Sequence, residues 1–169
     1  GPLKVPDKEI KEWIWTNPKG HIDKVSELNK DEVSNGKLVP LIKIMKWWWK
    51  YQCQVRQPDI ERPKPKGFWI ECLTIENFDR KQDNWAGHFV SVLENIYSKY
   101  SRVEQVPMLR DPGLPNEFIK TNISKAEFDI FIDAIDDCLK LAQKAIHSSD
   151  EVESSVFWRD IFGEQFPLS

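Results

Sequence analysis

Tryptophan is concentrated in the first half of this chain of 169 residues, where seven of the eight tryptophans lie before residue 86. Each indole carries a large apolar area that has to be buried or stacked. Apolar residues make up 40% of the chain and charged residues 30%, which is ordinary for a globular protein and excludes disorder and collagen-like repeats. A chain of this mass buries about 70% of its surface, enough for a core without disulfides. We therefore expect one folded unit or two closely packed lobes.

Several features favour a cytoplasmic protein. The longest apolar stretch, residues 38–49, is interrupted by Lys43 and Lys46 and is too short to cross a bilayer. The three cysteines are odd in number and form no CxxC pair, which favours neither a disulfide framework nor a Cys-based zinc site. Gly1-Pro2 resembles the remnant of a cleaved purification tag, and no signal peptide follows it, so the natural residues are expected from Leu3. We expect the reducing cytoplasm and no membrane association.

The spacing of apolar residues predicts a mainly α protein with five or six helices and little or no β structure. A polar cap followed by proline, Asn17-Pro18, starts a helix that ends near Asn29. Pro40 opens a second helix over residues 41–54, which carries an apolar stripe. The remaining helices are expected over residues 67–75, from an N-cap at Asn84 to Tyr100, from a capping box at Ser124 and Glu127 to His147, and from Ser148 with Glu151 to Gly163.

Four segments are less regular. Apolar alternation at residues 13–15 is compatible with a short strand, and residues 67–75 suit a buried strand or a buried helix equally, of which we prefer the helix. Residues 55–66 carry three prolines and four basic groups, which is typical of a mobile surface loop. Residues 101–122 form a connection longer than loops usually are without a functional or docking reason.

Charge is distributed unevenly along the chain. Residues 1–66 hold 14 basic and 9 acidic residues, whereas residues 67–169 hold 10 basic and 18 acidic ones. Proteins that bind long duplex nucleic acids usually have a strongly basic domain, and the net charge here is −3. We therefore expect no long duplex partner, while a small anionic ligand held by a few lysines remains open.

Sequence signatures of a self-contained active site are absent. The chain has no GxGxxG, GxxxxGK[ST], HExxH or GxSxG motif, and neither a Gly-Ser nor an Asp-x-Asp pair. The histidines lack ligand-like spacing and are interpreted as ordinary surface or partly buried side chains: His21, His88 and His147. Four aspartates at helical spacing opposite an apolar stripe are typical of a solvated face rather than a metal site: Asp129, Asp133, Asp136 and Asp137.

Two features suggest a binding function. In the second helix, Lys43 and Lys46 precede a tryptophan triplet that Lys50 follows, and these lysines could surround a phosphate, although lysine stems that cover apolar surface would show the same pattern. In the segment Lys66–Trp69, a basic residue and a glycine precede two aromatic residues. Phe68 or Trp69 could stack on a base, and burial in the core is the alternative for each.

Taken in chain order, several segments resemble the C-terminal half of the bacterial cGAS/DncV-like nucleotidyltransferases. The resemblance spans nearly the whole chain. Its segments are Trp15-Thr16-Asn17-Pro18 with His21, then Leu38 to Trp48, then Lys66-Gly67-Phe68-Trp69-Ile70-Glu71, then Asp111-Pro112, and finally Phe157 to Gly163 with Phe166-Pro167.

This resemblance implies a mostly helical lobe that packs beside a nucleotidyltransferase sheet domain and closes its nucleotide pocket. Residues 3–169 would be that C-terminal lobe, residues 1–2 the tag remnant, and the N-terminal catalytic core would be missing. In the family an Asp-x-Asp pair and a third Asp, all in that core, hold the catalytic metals. Mg²⁺ is therefore expected for the full-length enzyme, and this chain, which has no catalytic or metal-binding residue of its own, is expected to be inactive alone.

Carried over residue by residue, the resemblance assigns nucleotide contacts to the second and third helices. Lys46 matches a family lysine that contacts the donor triphosphate. Gly67 falls where many relatives have a serine that also touches phosphate, so that contact is lost or replaced by a backbone amide. Phe68 falls where relatives often have a tyrosine that stacks on a base. Lys43 and Lys66 are additional candidates.

The function implied for the whole protein is synthesis of a cyclic di- or trinucleotide messenger in CBASS anti-phage defence, with nucleoside triphosphates such as ATP or GTP as ligands. Expected partners are the missing catalytic core and regulatory CBASS proteins that act on the C-terminus, residues 166–169. An all-helical protein-interaction module without a nucleotide role is the alternative. A complete small enzyme is disfavoured because no catalytic constellation is present.

Overall fold

The fold comes from a computed structural model, which describes residues 2–7, 12–31 and 35–165. Six helices in this part of the chain carry the architecture: α1 (Pro18–Lys30), α2 (Leu38–Arg56), α3 (Gly67–Asn77), α4 (Trp85–Tyr100), α5 (Lys125–His147) and α6 (Glu151–Phe162). Two antiparallel hairpins accompany them: β1 (Leu3–Asp7) with β2 (Glu12–Thr16), and β3 (Arg110–Asp111) with β4 (Leu114–Phe118). The prediction of a mainly α protein is confirmed, as are the strand at residues 13–15 and the helical choice for residues 67–75.

Most helix starts follow their predicted caps. The Asn17 side chain accepts a hydrogen bond from the Gly20 amide at 3.0 Å, and Asn84 accepts one from Gly87 at 2.8 Å. The capping box at the start of α5 is complete, because Ser124 and Glu127 each accept from the other's backbone amide. These contacts satisfy amides that have no partner within their own helix.

Two helix starts differ from the predictions. The cap predicted for α6 is wrong: Asp150 is the N-cap and accepts from the Val152 amide, whereas the Ser148 hydroxyl donates to Glu153 at 2.9 Å. Helix α2 begins at Leu38, so Pro40 is its third residue rather than the residue before it. Proline is tolerated there because amides of the first helical turn lack an intrahelical partner in any case.

The core is built from aromatic rings where α2, α3 and α5 meet. Trp48 is fully buried and makes edge-on contacts with Phe89 of α4 and Phe131 of α5, with ring centroids 6.2 and 5.9 Å apart. Trp69 of α3 is also buried, with its ring centroid 5.8 Å from that of Phe131. Edge-to-face pairs of this kind stabilise a core beyond the area they bury. The core interpretation of Trp69 is therefore confirmed.

The connections are attached to the helices at specific points. After α2 ends at Arg56, the proline-rich loop of residues 57–66 is mostly exposed, but Trp49 donates its indole N–H to the Pro65 carbonyl at 2.8 Å. The long connection contains the β3–β4 hairpin, whose turn packs against the start of α1, and Asn17 donates to the Gly113 carbonyl at 3.0 Å. A docking reason for this long connection is thus present. The predicted role of residues 166–169 lies outside the described residues.

Candidate functional site

A carboxylate on α3 joins the three N-terminal helices. Glu71 Oε1 lies 2.6 Å from Nε2 of His21 on α1, and Glu71 Oε2 lies 2.8 Å from Nζ of Lys46 on α2. The side chains of Glu71 and His21 are 17% and 13% exposed, whereas that of Lys46 is 40% exposed. A single carboxylate therefore connects a mostly buried imidazole to an ammonium group that reaches solvent.

The charge state of Glu71 follows from these contacts. The hydrogen bond from His21 is the largest influence and, with the hydrogen bond and charge of Lys46, lowers the pKa of Glu71 to about 2 against the opposing effect of burial. Glu71 is therefore ionised at neutral pH and can only accept hydrogen bonds, so Nε2 of His21 carries the donated proton. Lys46 directs one of its three N–H groups at Glu71.

Gly67 and Phe68, the first two residues of α3, lie beside this cluster. A Cβ atom at Gly67 would lie 3.7 Å from Cε of Lys46, which is an ordinary van der Waals distance. The Phe68 ring is 43% exposed, and its centroid lies 5.0 Å from that of the His21 ring at an interplanar angle of 56°. The cluster thus presents a cation and an exposed aromatic ring from adjacent helices.

The N-terminus of α3 has no side-chain cap. Lys66 occupies the N-cap position in an extended conformation, and its side chain makes no capping hydrogen bond. The first amides of a helix point along its axis and favour negative charge at this end. Lys46 therefore lies next to a helix terminus that itself favours an anion.

A groove of about 660 Å³ extends from Lys46 along α2 and under the proline-rich loop. Four basic residues and one acidic residue line the groove: Lys46, Lys50, Arg62 and Lys66, and Glu61. The rest of the wall consists of Gln54 and Gln57, of loop residues such as Ile60, and of apolar residues of α2 and α3 that include Trp49 and Ile70. The groove therefore has the composition of a site for an anionic ligand with an apolar part.

The β3–β4 hairpin determines where His21 lies. The turn residue Gly113 approaches α1 so closely that a Cβ atom there would be 2.6 Å from the His21 backbone nitrogen and 2.8 Å from the Asn17 carbonyl oxygen. Only glycine permits this approach. The hairpin turn is thus pressed against the helical turn that carries His21.

The acidic cluster on α5 lies on a solvated face, because Asp129, Asp133 and Asp137 are exposed and Asp136 is partly exposed. Three of its four carboxylates pair with basic side chains: Asp129 with Lys125, Asp136 with Lys140, and Asp137 with Arg56. Within residues 2–7, 12–31 and 35–165, no group of three or more His, Cys, Asp or Glu side chains is arranged to hold a metal ion. The described residues therefore do not fit the Mg²⁺ ions that the resemblance implies for the full-length enzyme.

The structure brings together most of the residues predicted for the site. Lys46, Gly67 and Lys66 line one groove, and Phe68 borders the same cluster. Lys43 is exposed on α2 and does not line the groove, and the lysine paired with Glu71 is Lys46. The role of Lys43 stays a prediction.

Sequence reasoning missed Glu71 and the contact of His21. Glu71 is the last residue of the third segment that resembles the nucleotidyltransferases, and His21 accompanies the first segment. Both residues were therefore part of the resemblance, but neither was assigned a role in the site. The signal was weak because 50 residues separate the two partners.

Comparison with known proteins finds relatives that match almost the whole chain. The chain is 31% identical over its whole length to the cyclic AMP-AMP-AMP synthase of an Acinetobacter species and covers 48% of that protein. It is 30% identical over 99% of its length to the cyclic AMP-AMP-GMP synthase of Enterobacter hormaechei and covers 43% of it. The chain thus spans about half the length of the curated relatives it matches. No family model matches the chain.

Solved structures share the fold. CdnC of E. coli MS115-1 in complex with HORMA-deltaN matches with a TM-score of 0.74 at 17% identity, over 92% of this chain and 53% of that one. CdnC with ATP matches with a TM-score of 0.73 at 15% identity, over 98% of this chain and 56% of that one.

These similarities confirm the expected resemblance to the bacterial cGAS/DncV-like nucleotidyltransferases. Its curated relatives are synthases of cyclic trinucleotides. The alternative of an interaction module without a nucleotide role gains no support from them.

Proposed function

We propose that residues 3–169 form the nucleotide-binding C-terminal lobe of a cyclic-oligonucleotide synthase of anti-phage defence. The observation that carries this proposal is the partly exposed Lys46 ammonium beside the uncapped N-terminus of α3, with the exposed Phe68 ring on the same helix. A cation next to a helix N-terminus suits phosphate, and an exposed aromatic ring suits a base. The names of the relatives and the CdnC structure with ATP support this direction.

Each residue has a distinct role in this proposal. Lys46 contacts the triphosphate of ATP or GTP, and the Gly67 amide at the start of α3 supplies a hydrogen bond that a serine side chain would supply in relatives. Phe68 stacks on the base. Lys43 and Lys66 raise the local positive potential without a bidentate contact, as exposed lysines do.

The chemistry would belong to the rest of the protein. Phosphoryl transfer uses Mg²⁺ ions that bridge the phosphates, and the acids that hold them would lie on an N-terminal catalytic core. This lobe would close over the nucleotide and be inactive alone. Its own residues bind and orient the substrate.

The proposed partners and location follow the same relationship. CdnC is described in a complex with HORMA-deltaN, so a regulatory protein that acts on this chain or its C-terminus is part of the proposal. The three cysteines are free and buried, which supports placement in a reducing cytoplasm. None of the helices in the described ranges is long and apolar enough to cross a bilayer.

A charge reversal tests the proposal. We expect Lys46→Glu to abolish detectable ATP binding by this chain in an NMR titration and to reduce product formation by the full-length protein, because the phosphate would face a carboxylate. Lys125→Glu is the matched control, since it makes the same charge change at the exposed start of α5, far along the chain from Lys46. Circular dichroism verifies that both variants fold. Wild-type ATP affinity in Lys46→Glu would refute the proposed role.

A further inference from the structure

We propose that Glu71 is a positioning residue for the nucleotide, an inference that rests on the proposed function. Its carboxylate holds the Lys46 ammonium and the His21 ring in a fixed relation, so that the part of the site that binds phosphate and the part that binds the base are formed before the nucleotide arrives. Nothing in the relatives' names assigns a role to this residue.

The geometry uses both oxygens of the carboxylate. Oε1 accepts from His21 at 2.6 Å and Oε2 accepts from Lys46 at 2.8 Å, and the two donors come from different helices. Both distances are typical of charge-assisted hydrogen bonds. Because Glu71 itself is mostly buried, its rotamer is restricted, and it can hold the more exposed lysine in place.

Lys46 gains most from this restraint. A lysine side chain has four rotatable bonds, so a mobile lysine loses conformational entropy when it becomes ordered around a ligand. The bond to Glu71 orders Lys46 in the free protein, so the nucleotide does not have to.

His21 links the same carboxylate to the aromatic face. Its ring lies against Phe68 and its Nε2 is held by Glu71, while the close approach of Gly113 fixes its backbone. The Phe68 ring therefore packs against an imidazole that is bonded to Glu71 through Nε2 and belongs to a residue whose backbone the hairpin turn contacts. Loss of Glu71 would release this support together with Lys46.

The negative charge of Glu71 also weakens the binding of an anionic ligand, and this effect has to be separated from the positioning of Lys46. A carboxylate next to a phosphate site repels the ligand, so a residue that merely competes for Lys46 would improve binding when it is neutralised. If Glu71 positions Lys46 and His21, neutralising it weakens ligand binding instead. Glu71→Gln removes the charge at constant size, and Glu71→Asp keeps the charge but is one methylene shorter and cannot reach both donors.

The experiment measures ATP and inorganic tripolyphosphate affinities of this chain by NMR titration for wild type, Glu71→Gln and Glu71→Asp. We expect both variants to bind ATP about tenfold more weakly, since tenfold corresponds to about 1.4 kcal/mol, the size of ordering one long side chain. Glu94→Gln, on the exposed face of α4, is the control for net charge and should stay within about twofold of wild type. Imidazole ¹⁵N shifts of His21 report directly on the loss of its bond to Glu71.

The possible results separate the two proposals. If wild type binds neither ligand, or Lys46→Glu binds ATP as wild type does, the proposed function fails and this inference with it. If Lys46→Glu loses binding but Glu71→Asp keeps wild-type affinity, only the positioning role is overturned. Tighter binding by Glu71→Gln would identify the carboxylate as a competitor and would also overturn it. His21 shifts unchanged in both Glu71 variants would show that no such restraint exists.

Discussion

The contact of the β3–β4 hairpin with α1 can be tested by adding a single methyl group. In Gly113→Ala, the new Cβ would lie 2.6 Å from the His21 nitrogen and 2.8 Å from the Asn17 oxygen. These two backbone atoms form the first hydrogen bond of α1, 2.9 Å long, so neither can move without opening that turn. The hairpin must then move away, and the bond from the Asn17 side chain to the Gly113 carbonyl is lost.

The expected cost comes from two contributions. Overpacking by one methyl group against backbone costs about 1–3 kcal/mol, and loss of the Asn17 hydrogen bond costs about 1 kcal/mol. Together they predict a decrease of about 2–4 kcal/mol in the free energy of unfolding. For a chain of this length, 1 kcal/mol lowers Tm by about 2–4 °C, so we expect Tm to fall by roughly 10 °C.

The assay is thermal unfolding, followed by circular dichroism, together with hydrogen exchange of the His21 amide. Gly67→Ala is the matched control, because its Cβ would meet only the flexible Lys46 side chain, at 3.7 Å from Cε and 3.9 Å from Cδ, and alanine favours a helix. Its Tm should be unchanged or slightly higher. If Gly113→Ala unfolds within 1 °C of wild type with normal exchange at His21, the hairpin does not clamp α1 and the reasoning is wrong.

Two further predictions concern stability. The pKa of Glu71 is about 2 in the fold and near 4.5 in the unfolded chain, so its contribution to stability is full above pH 4.5 and is lost as the pH falls through 2. Urea unfolding should therefore show a larger loss of stability in Glu71→Gln relative to wild type at pH 7 than at pH 2.5, and a difference independent of pH would contradict this. Gly163→Ala should lower the free energy of unfolding by about 1–3 kcal/mol, because Gly163 has φ +88° and a Cβ there would lie 2.9 Å from the Tyr51 ring. A chemical denaturation midpoint equal to that of wild type would contradict this expectation.

Local structure was accessible from the sequence wherever a short-range pattern decided it. The caps at Asn17, Asn84 and Ser124 were predicted correctly because each side chain bonds to an amide three residues away. The cap of α6 was predicted wrongly because Ser148 and Asp150 are both good capping residues two positions apart. Such a choice depends on where the preceding helix ends and how the next one packs.

The binding site divides in the same way. Lys46, Gly67 and Phe68 were predicted from residue type and from the resemblance, since charge and aromatic character are properties of single residues. Glu71 and His21 were not found as a pair. Their contact depends on how α1 crosses α3, and nothing in the intervening 50 residues encodes it locally.

The sequence by itself determined the helical class and most of the helix ends, because these depend on periodicity and on neighbours within one turn, while Lys46 was predicted as the cation of the site from the resemblance. Tertiary structure decided that Glu71 joins His21 to Lys46. It also decided that the β3–β4 hairpin turn packs against the backbone of His21. Both arrangements need residues far apart in the chain to meet. Packing of the aromatic core brings those residues together, and its geometry emerges only when all the helices are in place.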